Sequence, residues 1–221
     1  MISSIEEFVD ENEAMRDMLE ALGMSGDALR DGFITVILSM VALIATAGVI
    51  QTMLRPRGEE VAGRAEPVLA TTLSRRAWLS SHVVLTAVAA PVFMLAAGFG
   101  LAVSDAMVAG GFTDLNGTLG AALVRVPALW AVAGIGVLLY GWARRFTFGV
   151  WGVFALVAVI FLFGELLRLP DQFLNLSPIR HVTHLPGGEQ GWLPVAVLCA
   201  IALITGAAGI ALFDRRDIDT T

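Results

Sequence analysis

The sequence contains no lysine, and its 14 basic residues are all arginines. A Walker A phosphate loop depends on a lysine, so the chain is not a P-loop ATPase. The single cysteine, Cys199, cannot form an internal disulfide. Charged residues make up 15% of the chain, against about 25% in soluble domains, and the net charge is −6. This composition excludes a disulfide scaffold and a nucleic-acid-binding protein, and no pairing of a nucleophile with a base indicates an enzyme.

The sequence contains five long apolar segments without a charged residue. Hydrophobic residues make up 57% of the chain, and the mean hydropathy is +0.77. A helix needs about 20 apolar residues to cross a bilayer. Uncharged runs of this kind are Phe33–Leu54, Val83–Val103, Val126–Trp142 with an apolar extension from Leu119, Phe146–Gly164 and Trp192–Phe213. The sequence therefore predicts an all-α fold, a polytopic bundle of five transmembrane helices.

The arginines predict the orientation of this bundle. One side of the predicted membrane carries nine of them and the other side carries five. The nine are Arg55, Arg57, Arg64, Arg75, Arg76, Arg144, Arg145, Arg215 and Arg216. Cytoplasmic loops of membrane proteins are enriched in arginine and lysine. We therefore expect the N-terminus outside and the C-terminus in the cytoplasm.

Three regions follow from this arrangement. Residues 1–32 carry nine acidic residues and two arginines, with apolar residues at three- and four-residue spacing, which predicts an extracytoplasmic amphipathic acidic helix. Residues 33–213 form the five-helix transmembrane domain, which includes a cytoplasmic loop at 55–82. Residues 214–221 form a cytoplasmic tail.

The loop between the first two predicted spans is too long and too charged for a tight turn. Pro56 and Gly58 favour the start of a short helix, and Pro67 is expected to break it. The result is a bent helix that lies along the inner membrane face. From the residues alone, this element is either an interfacial linker or a docking element for a cytoplasmic partner.

Three motifs carry a resemblance to a known family. The run EEVAGRAEPVLATTLSRRAWL (Glu59–Leu79) resembles the first cytoplasmic loop of type-2 ABC exporter permeases, most of all the actinobacterial polyketide-antibiotic permeases of the tetronasin type. LSPIRHVTHLPGG (Leu176–Gly188) and FDRRDI (Phe213–Ile218) are similar to later segments of that family, in the same order. Family permeases have two six-span halves. The chain is therefore expected to correspond to the C-terminal half without its first span.

The resemblance implies a permease component of an ABC exporter in the bacterial plasma membrane. Its substrates would be hydrophobic or amphipathic small molecules of the antibiotic and multidrug class. A separate cytoplasmic ATPase dimer would supply the energy, so ATP and Mg²⁺ would bind to that partner and no cofactor is expected in this chain. A complementary permease half or a second copy would complete the membrane domain. The implied ATPase-coupling residues are Glu59, Glu60, Gly63, Arg64, Glu66, Ser74 and Arg75.

Three further residues are candidates for a transport pathway or its outer rim: Arg125, Glu165 and His181. Arg125 is expected at the outer start of the third span, where it either extends to the interface or lines a pathway. Glu165 either pairs with Arg168 or contacts substrate. The spacing of His181 and His184 is compatible with metal ligands, but flanking prolines and the lack of further regularly spaced ligands favour a structural turn, so no metal is expected.

Small residues and prolines predict how the spans pack. Pro127 is expected to bend the third span. Ala202 and Gly206 form a small-xxx-small pattern that favours close contact between helices. Two alternatives to the exporter stay open. A secondary transporter or channel would need paired charges or broken helices inside the membrane, and a structural membrane subunit would need neither.

Overall fold

The computed structural model describes residues 26–112, 114–182 and 191–215. Most of the predicted N-terminal amphipathic helix and the tail beyond Arg215 lie outside these ranges. Within them the chain is all-α, and five helices are long and apolar enough to cross a membrane. This confirms the predicted five-helix membrane bundle.

Short connections join the helices along the chain. The α-helices of the described ranges are α1 (Gly26–Met53), α2 (Arg55–Val61), α3 (Ala65–Leu69), α4 (Arg75–Ala109), α5 (Leu115–Leu123), α6 (Val126–Trp142), α7 (Gly149–Phe163), α8 (Asp171–Leu174) and α9 (Trp192–Arg215). Short 3₁₀ helices cover Arg144–Phe146 and Pro178–Val182. The candidate spans are Arg30–Val61, Arg75–Met107, Leu115–Trp142, Arg144–Phe163 and Trp192–Arg215.

The first spanning helix begins earlier than its uncharged run predicts. Helix α1 starts at Gly26 and includes Arg30. The guanidinium of Arg30 donates to the carboxylate of Asp105, near the end of α4, at 2.6 Å. Both side chains are about nine-tenths buried. The two charges compensate each other, so the helix can include Arg30 although a charged residue would usually mark the end of a span.

The third span consists of two helices joined by a turn. Helix α5 ends at Leu123, a turn follows at Val124 and Arg125, and α6 begins at Val126. Pro127 stands in the first turn of α6, where its missing N–H has no helical partner to bond. The interruption falls directly before Pro127, the residue predicted to bend the third span.

Helix α6 lies at the centre of the bundle and packs against α9 through glycines. A Cβ atom at Gly141 would collide with the backbone of Gly209, and a Cβ at Gly209 would collide with the carbonyl of Val137. The two backbones therefore touch. Ala202 takes part in the same contact by packing over Gly134.

The predicted contact face on α9 is correct at Ala202 and wrong at Gly206. Gly206 lines an apolar cavity of about 330 Å³ between α4, α6 and α9, and no atom lies within 4 Å of the place its Cβ would occupy. The contact passes instead through Thr205 and Gly209, because Ala202 and Gly209 stand two helical turns apart on the face toward α6.

We predict that Gly209→Ala destabilises the bundle, because its methyl group has no space beside Val137. Overpacking of this kind lowers the free energy of unfolding by about 1–3 kcal/mol. Unfolding of the full chain in detergent micelles measures the change. Gly206→Ala is the matched control on the same helix and should unfold like the parent chain. Equal stability of the two variants would contradict the backbone contact.

Candidate functional site

The loop after α1 forms an elbow of two short helices, α2 and α3. The bend lies at Gly63, whose φ angle is +69°. This left-handed conformation strains a residue with a Cβ, so glycine is favoured here. Pro67, which was predicted to break the helix, lies inside α3. That prediction is wrong because Pro67 stands in the first turn of α3, where the backbone N–H that proline lacks would have no acceptor within the helix.

The tip of the elbow is open to contact. Gly63, Arg64 and Glu66 are all exposed, and no atom lies within 4 Å of a Cβ built on Gly63. Val61 and Val68 add apolar surface, with 60% and 40% of their area exposed. The tip thus combines both signs of charge with apolar area and a glycine. A partner's contact with Gly63 stays a prediction.

The base of the elbow is attached to two spans by its glutamates. The hydroxyl of Tyr140 on α6 donates to the carboxylate of Glu60 at 2.7 Å. The Nε2 atom of His82 on α4 lies 3.4 Å from the carboxylate of Glu59, a pair that is ionic when the imidazole is protonated. The two consecutive glutamates therefore connect α2 to α4 and to α6.

An aromatic stack lies beneath these polar contacts. The ring of Phe213 on α9 stacks on Tyr140 at 5.4 Å between centroids and on Trp78 at 5.7 Å. Ala65 of α3, which is 3% exposed, belongs to the same cluster. The Nε of Arg76 donates to Asp214 at 2.8 Å on the surface nearby. The elbow therefore rests on three spans, α4, α6 and α9.

The predicted coupling residues fall into three groups. Glu59 and Glu60 anchor the base, while Gly63, Arg64 and Glu66 form the exposed tip. Ser74 and Arg75 lie at the start of α4. The hydroxyl of Ser74 accepts a hydrogen bond from the N–H of Ala77 at 3.2 Å, so Ser74 is the N-cap of that span.

Sequence reasoning missed the partners of the glutamates. Tyr140, Trp78, His82 and Phe213 lie in or beside apolar runs that read as ordinary spans. One signal was available, because Tyr140 is the single tyrosine of the chain and lies near the end of a span. A phenol hydroxyl at that depth needs a hydrogen-bond acceptor.

Arg125 lies inside the bundle rather than at an exposed rim. It is 0% exposed, and its guanidinium donates to the carbonyls of Ala121 and Thr35 and to the hydroxyl of Ser39. The expectation that Arg125 reaches the outer interface is therefore wrong. Because the turn after α5 leaves the Ala121 carbonyl without its usual helical donor, the side chain of Arg125 takes that place. The arginine joins α1 to the break in the third span.

Glu165 and His181 line two different cavities, and Arg125 lines neither of them. Glu165 is exposed and lines a small cavity of about 160 Å³ with Ser177 and Arg180. His181 donates from Nε2 to the carbonyl of Asn175 at 2.8 Å. It lines a larger cavity, about 600 Å³, whose walls come from α6, α7 and α9. The structure does not bring the three rim candidates into one site, and His184 lies outside the described residues.

Comparison with known proteins identifies the family. The model of the family "Multidrug efflux system permease Rv1217c, C-terminal domain" matches residues 1–214. The chain belongs to this family. The multidrug efflux system permease protein Rv1217c of Mycobacterium tuberculosis (strain ATCC 25618 / H37Rv) is 34% identical over 224 residues, which cover 99% of this chain and 40% of the relative. The chain thus spans about 40% of the length of the curated relative that it matches. The resemblance to an exporter permease is confirmed at this level.

We predict that Tyr140→Phe loosens the elbow while leaving the aromatic stack in place. Removing the hydroxyl deletes its hydrogen bond to Glu60. Bonds to charged groups contribute about 1.5–3 kcal/mol, and for a half-buried glutamate we expect about 1 kcal/mol. Amide hydrogen exchange of residues 55–62 should become about fivefold faster. Glu66→Gln, at the exposed tip, is the control that should leave exchange unchanged. Unaltered protection in Tyr140→Phe would show that the bond does not hold the loop.

Proposed function

We propose that this chain is part of the permease of an ABC exporter in the bacterial plasma membrane, of the polyketide-antibiotic (tetronasin) type. Its N-terminus lies outside and its C-terminus lies in the cytoplasm. A separate ATPase dimer binds ATP and Mg²⁺ and drives export, and a complementary permease half or a second copy completes the membrane domain. Membership of an efflux permease family and the exporter-like motif at Glu59–Leu79 support this proposal.

One observation carries the proposal, namely the attachment of an exposed elbow to three spans. The tip at Gly63, Arg64 and Glu66 is accessible, while the base is bonded to α4 and α6 and packed on α9. A partner that changes its contact with the tip therefore displaces spans directly. ATP shifts the membrane domain between its states if the ATPase touches the tip differently in each state.

The larger cavity supports a hydrophobic class of substrate. Its volume of about 600 Å³ falls within the range of small-molecule sites, which is about 300–1,000 Å³. Its walls are mostly Val, Leu, Ile, Ala and Pro side chains, and the polar groups among its lining residues are those of Asn175 and His181. Such walls favour apolar or amphipathic molecules over charged ones.

A second candidate function, secondary transport, is favoured by the third span. That span is broken at Val124 and Arg125, and the arginine is buried beside the break. Broken helices with buried charges mark ion-coupled sites in secondary transporters. The elbow has no evident task in such a mechanism, so we rank this function below the exporter.

We predict the proposed orientation from labelling of engineered cysteines in intact cells. Thr72→Cys, on the exposed elbow side, should react with an impermeant maleimide only after the cells are opened. Asn116→Cys, exposed at the opposite end of the bundle, should react from outside. Both variants carry Cys199→Ala, so the native thiol gives no signal. Reaction of Thr72→Cys from outside would reverse the orientation.

We predict that charge reversal at the tip abolishes coupling without harming the bundle. Arg64→Glu and Glu66→Arg lie on exposed positions and should leave expression and thermal unfolding unchanged. In a reconstituted complex of this chain with its other half and its ATPase, each should lower efflux and substrate-stimulated ATP hydrolysis about tenfold or more, because a charged hydrogen bond contributes about 1.5–3 kcal/mol.

Asn116→Glu is the matched control, a charge change at an exposed position on the opposite side. It should transport like the parent chain. Normal transport by both tip variants would reduce the elbow to an interfacial linker. If an ATPase-inactivated complex still moved substrate along an ion gradient, secondary transport would be the better assignment.

A further inference from the structure

Arginines and aromatic rings meet at the end of the bundle that carries the elbow. We call this surface the arginine–aromatic patch, and its members are Arg57, Trp142, Arg144, Arg145, Phe146 and Phe148. The Cζ atom of Arg57 lies 4.1 Å from the ring centroid of Phe148, and that of Arg145 lies 4.7 Å from the ring centroid of Phe146. The rings of Trp142 and Phe146 are 5.5 Å apart. Residues from the α1–α2 junction and from the α6–α7 turn thus form one surface.

The turn that presents the patch is fixed by its own hydrogen bonds. Thr147 is fully buried, and its hydroxyl donates to the carbonyl of Arg144 at 2.8 Å. The N–H of Phe146 donates to the carbonyl of Ala143 at 2.9 Å. Because the backbone is held in this 3₁₀ turn, the positions of Arg144 and Arg145 are set before any ligand arrives.

The arginines of the patch form no ion pair with the described residues. Elsewhere arginines pair with aspartates, as in Arg30–Asp105, Arg76–Asp214 and Arg180–Asp171. In residues 26–112, 114–182 and 191–215, no ion pair involves Arg57, Arg144 or Arg145. The Nε of Arg57 is also buried there without a hydrogen-bond acceptor. The guanidinium of Arg57 rests on a ring rather than on a carboxylate.

The patch lies where three helices of the bundle begin or end. Helix α1 ends at Met53, α6 ends at Trp142 and α7 begins at Gly149. Trp142 and Phe148 are 65% and 50% exposed. Exposed aromatic side chains at span ends occupy the interface between lipid tails and headgroups. We therefore expect the arginines to lie at the depth of lipid phosphates.

We propose that the arginine–aromatic patch binds the phosphate headgroup of an anionic phospholipid. Guanidinium groups match phosphate oxygens with paired N–H donors, and the aromatic rings hold the guanidinium planes while contacting the first methylenes of the lipid. The site needs acyl chains in the adjacent bilayer as well as the phosphate. This inference does not depend on the exporter mechanism, since it follows from charge, rings and depth.

Native mass spectrometry of the full chain in detergent tests the site. Phosphatidylglycerol and phosphatidylcholine are the two probes, and the measured quantity is the dissociation constant of the first bound lipid. The parent chain should prefer phosphatidylglycerol. Each arginine near a lipid phosphate contributes about 1 kcal/mol, which is about a fivefold change in affinity. In the double variant Arg57→Gln and Arg145→Gln the affinity for this lipid should therefore fall about 30-fold.

A matched double variant separates a built site from general charge attraction. Arg168→Gln with Arg215→Gln removes two exposed arginines outside the patch and should keep the preference. Phe148→Leu keeps every charge but removes the ring under Arg57, and should weaken binding severalfold. Thermal unfolding confirms that each variant is folded before its binding is compared.

Three results would overturn the proposal. Equal losses in both double variants would mean that charge alone attracts the lipid. Unchanged affinity in the patch variant would mean that the headgroup binds elsewhere or not at all. If glycerol phosphate displaced phosphatidylglycerol at equal concentration, the ligand would be a soluble anion rather than a lipid.

Discussion

The backbone contact between α6 and α9 at Gly141 and Gly209 sets the geometry on which the elbow depends. Phe213 lies one helical turn after Gly209, and Tyr140 directly precedes Gly141, so their rings stack where the backbones touch. Tyr140 is then placed to donate to Glu60. A larger residue at either glycine would separate the helices and withdraw the stack from the elbow.

The positions of the five spans could be predicted from the sequence, but the details of the elbow could not. Each span is a long uncharged run, and lipid leaves such a run little choice but helix. A proline is less informative, because Pro67 fits a first turn as well as it ends a helix, and the bend falls at Gly63 instead. Likewise the spacing of small residues suggested Gly206, whereas the contact is made at Gly209, because the contact depends on how α9 is rotated against α6.

The buried polar contacts could not be read from the sequence, because their partners are distant along the chain. Tyr140 and Glu60 are separated by 80 residues, and Arg125 and Ser39 by 86. In the sequence, Arg125 directly precedes an uncharged run and therefore resembles a residue at the end of a span. Its acceptors on α1 are brought near only by the fold, which places α1 beside the break. Arg125 therefore connects two helices inside the bundle instead of marking the end of a span.

Arg125 also imposes an order on biogenesis. An arginine at the centre of a transmembrane helix costs about 2.5–3.5 kcal/mol on insertion through the translocon, and Arg125 lies at the break inside the third span. Here the compensating acceptors include Thr35, which leaves the ribosome 90 residues earlier. We therefore expect the first span to stay beside the translocon until the third emerges, so that these acceptors are present when Arg125 enters the lipid. Replacing Ser39 by a residue without a hydroxyl group would then lower the fraction of chains that integrate into the membrane during synthesis, before any transport step.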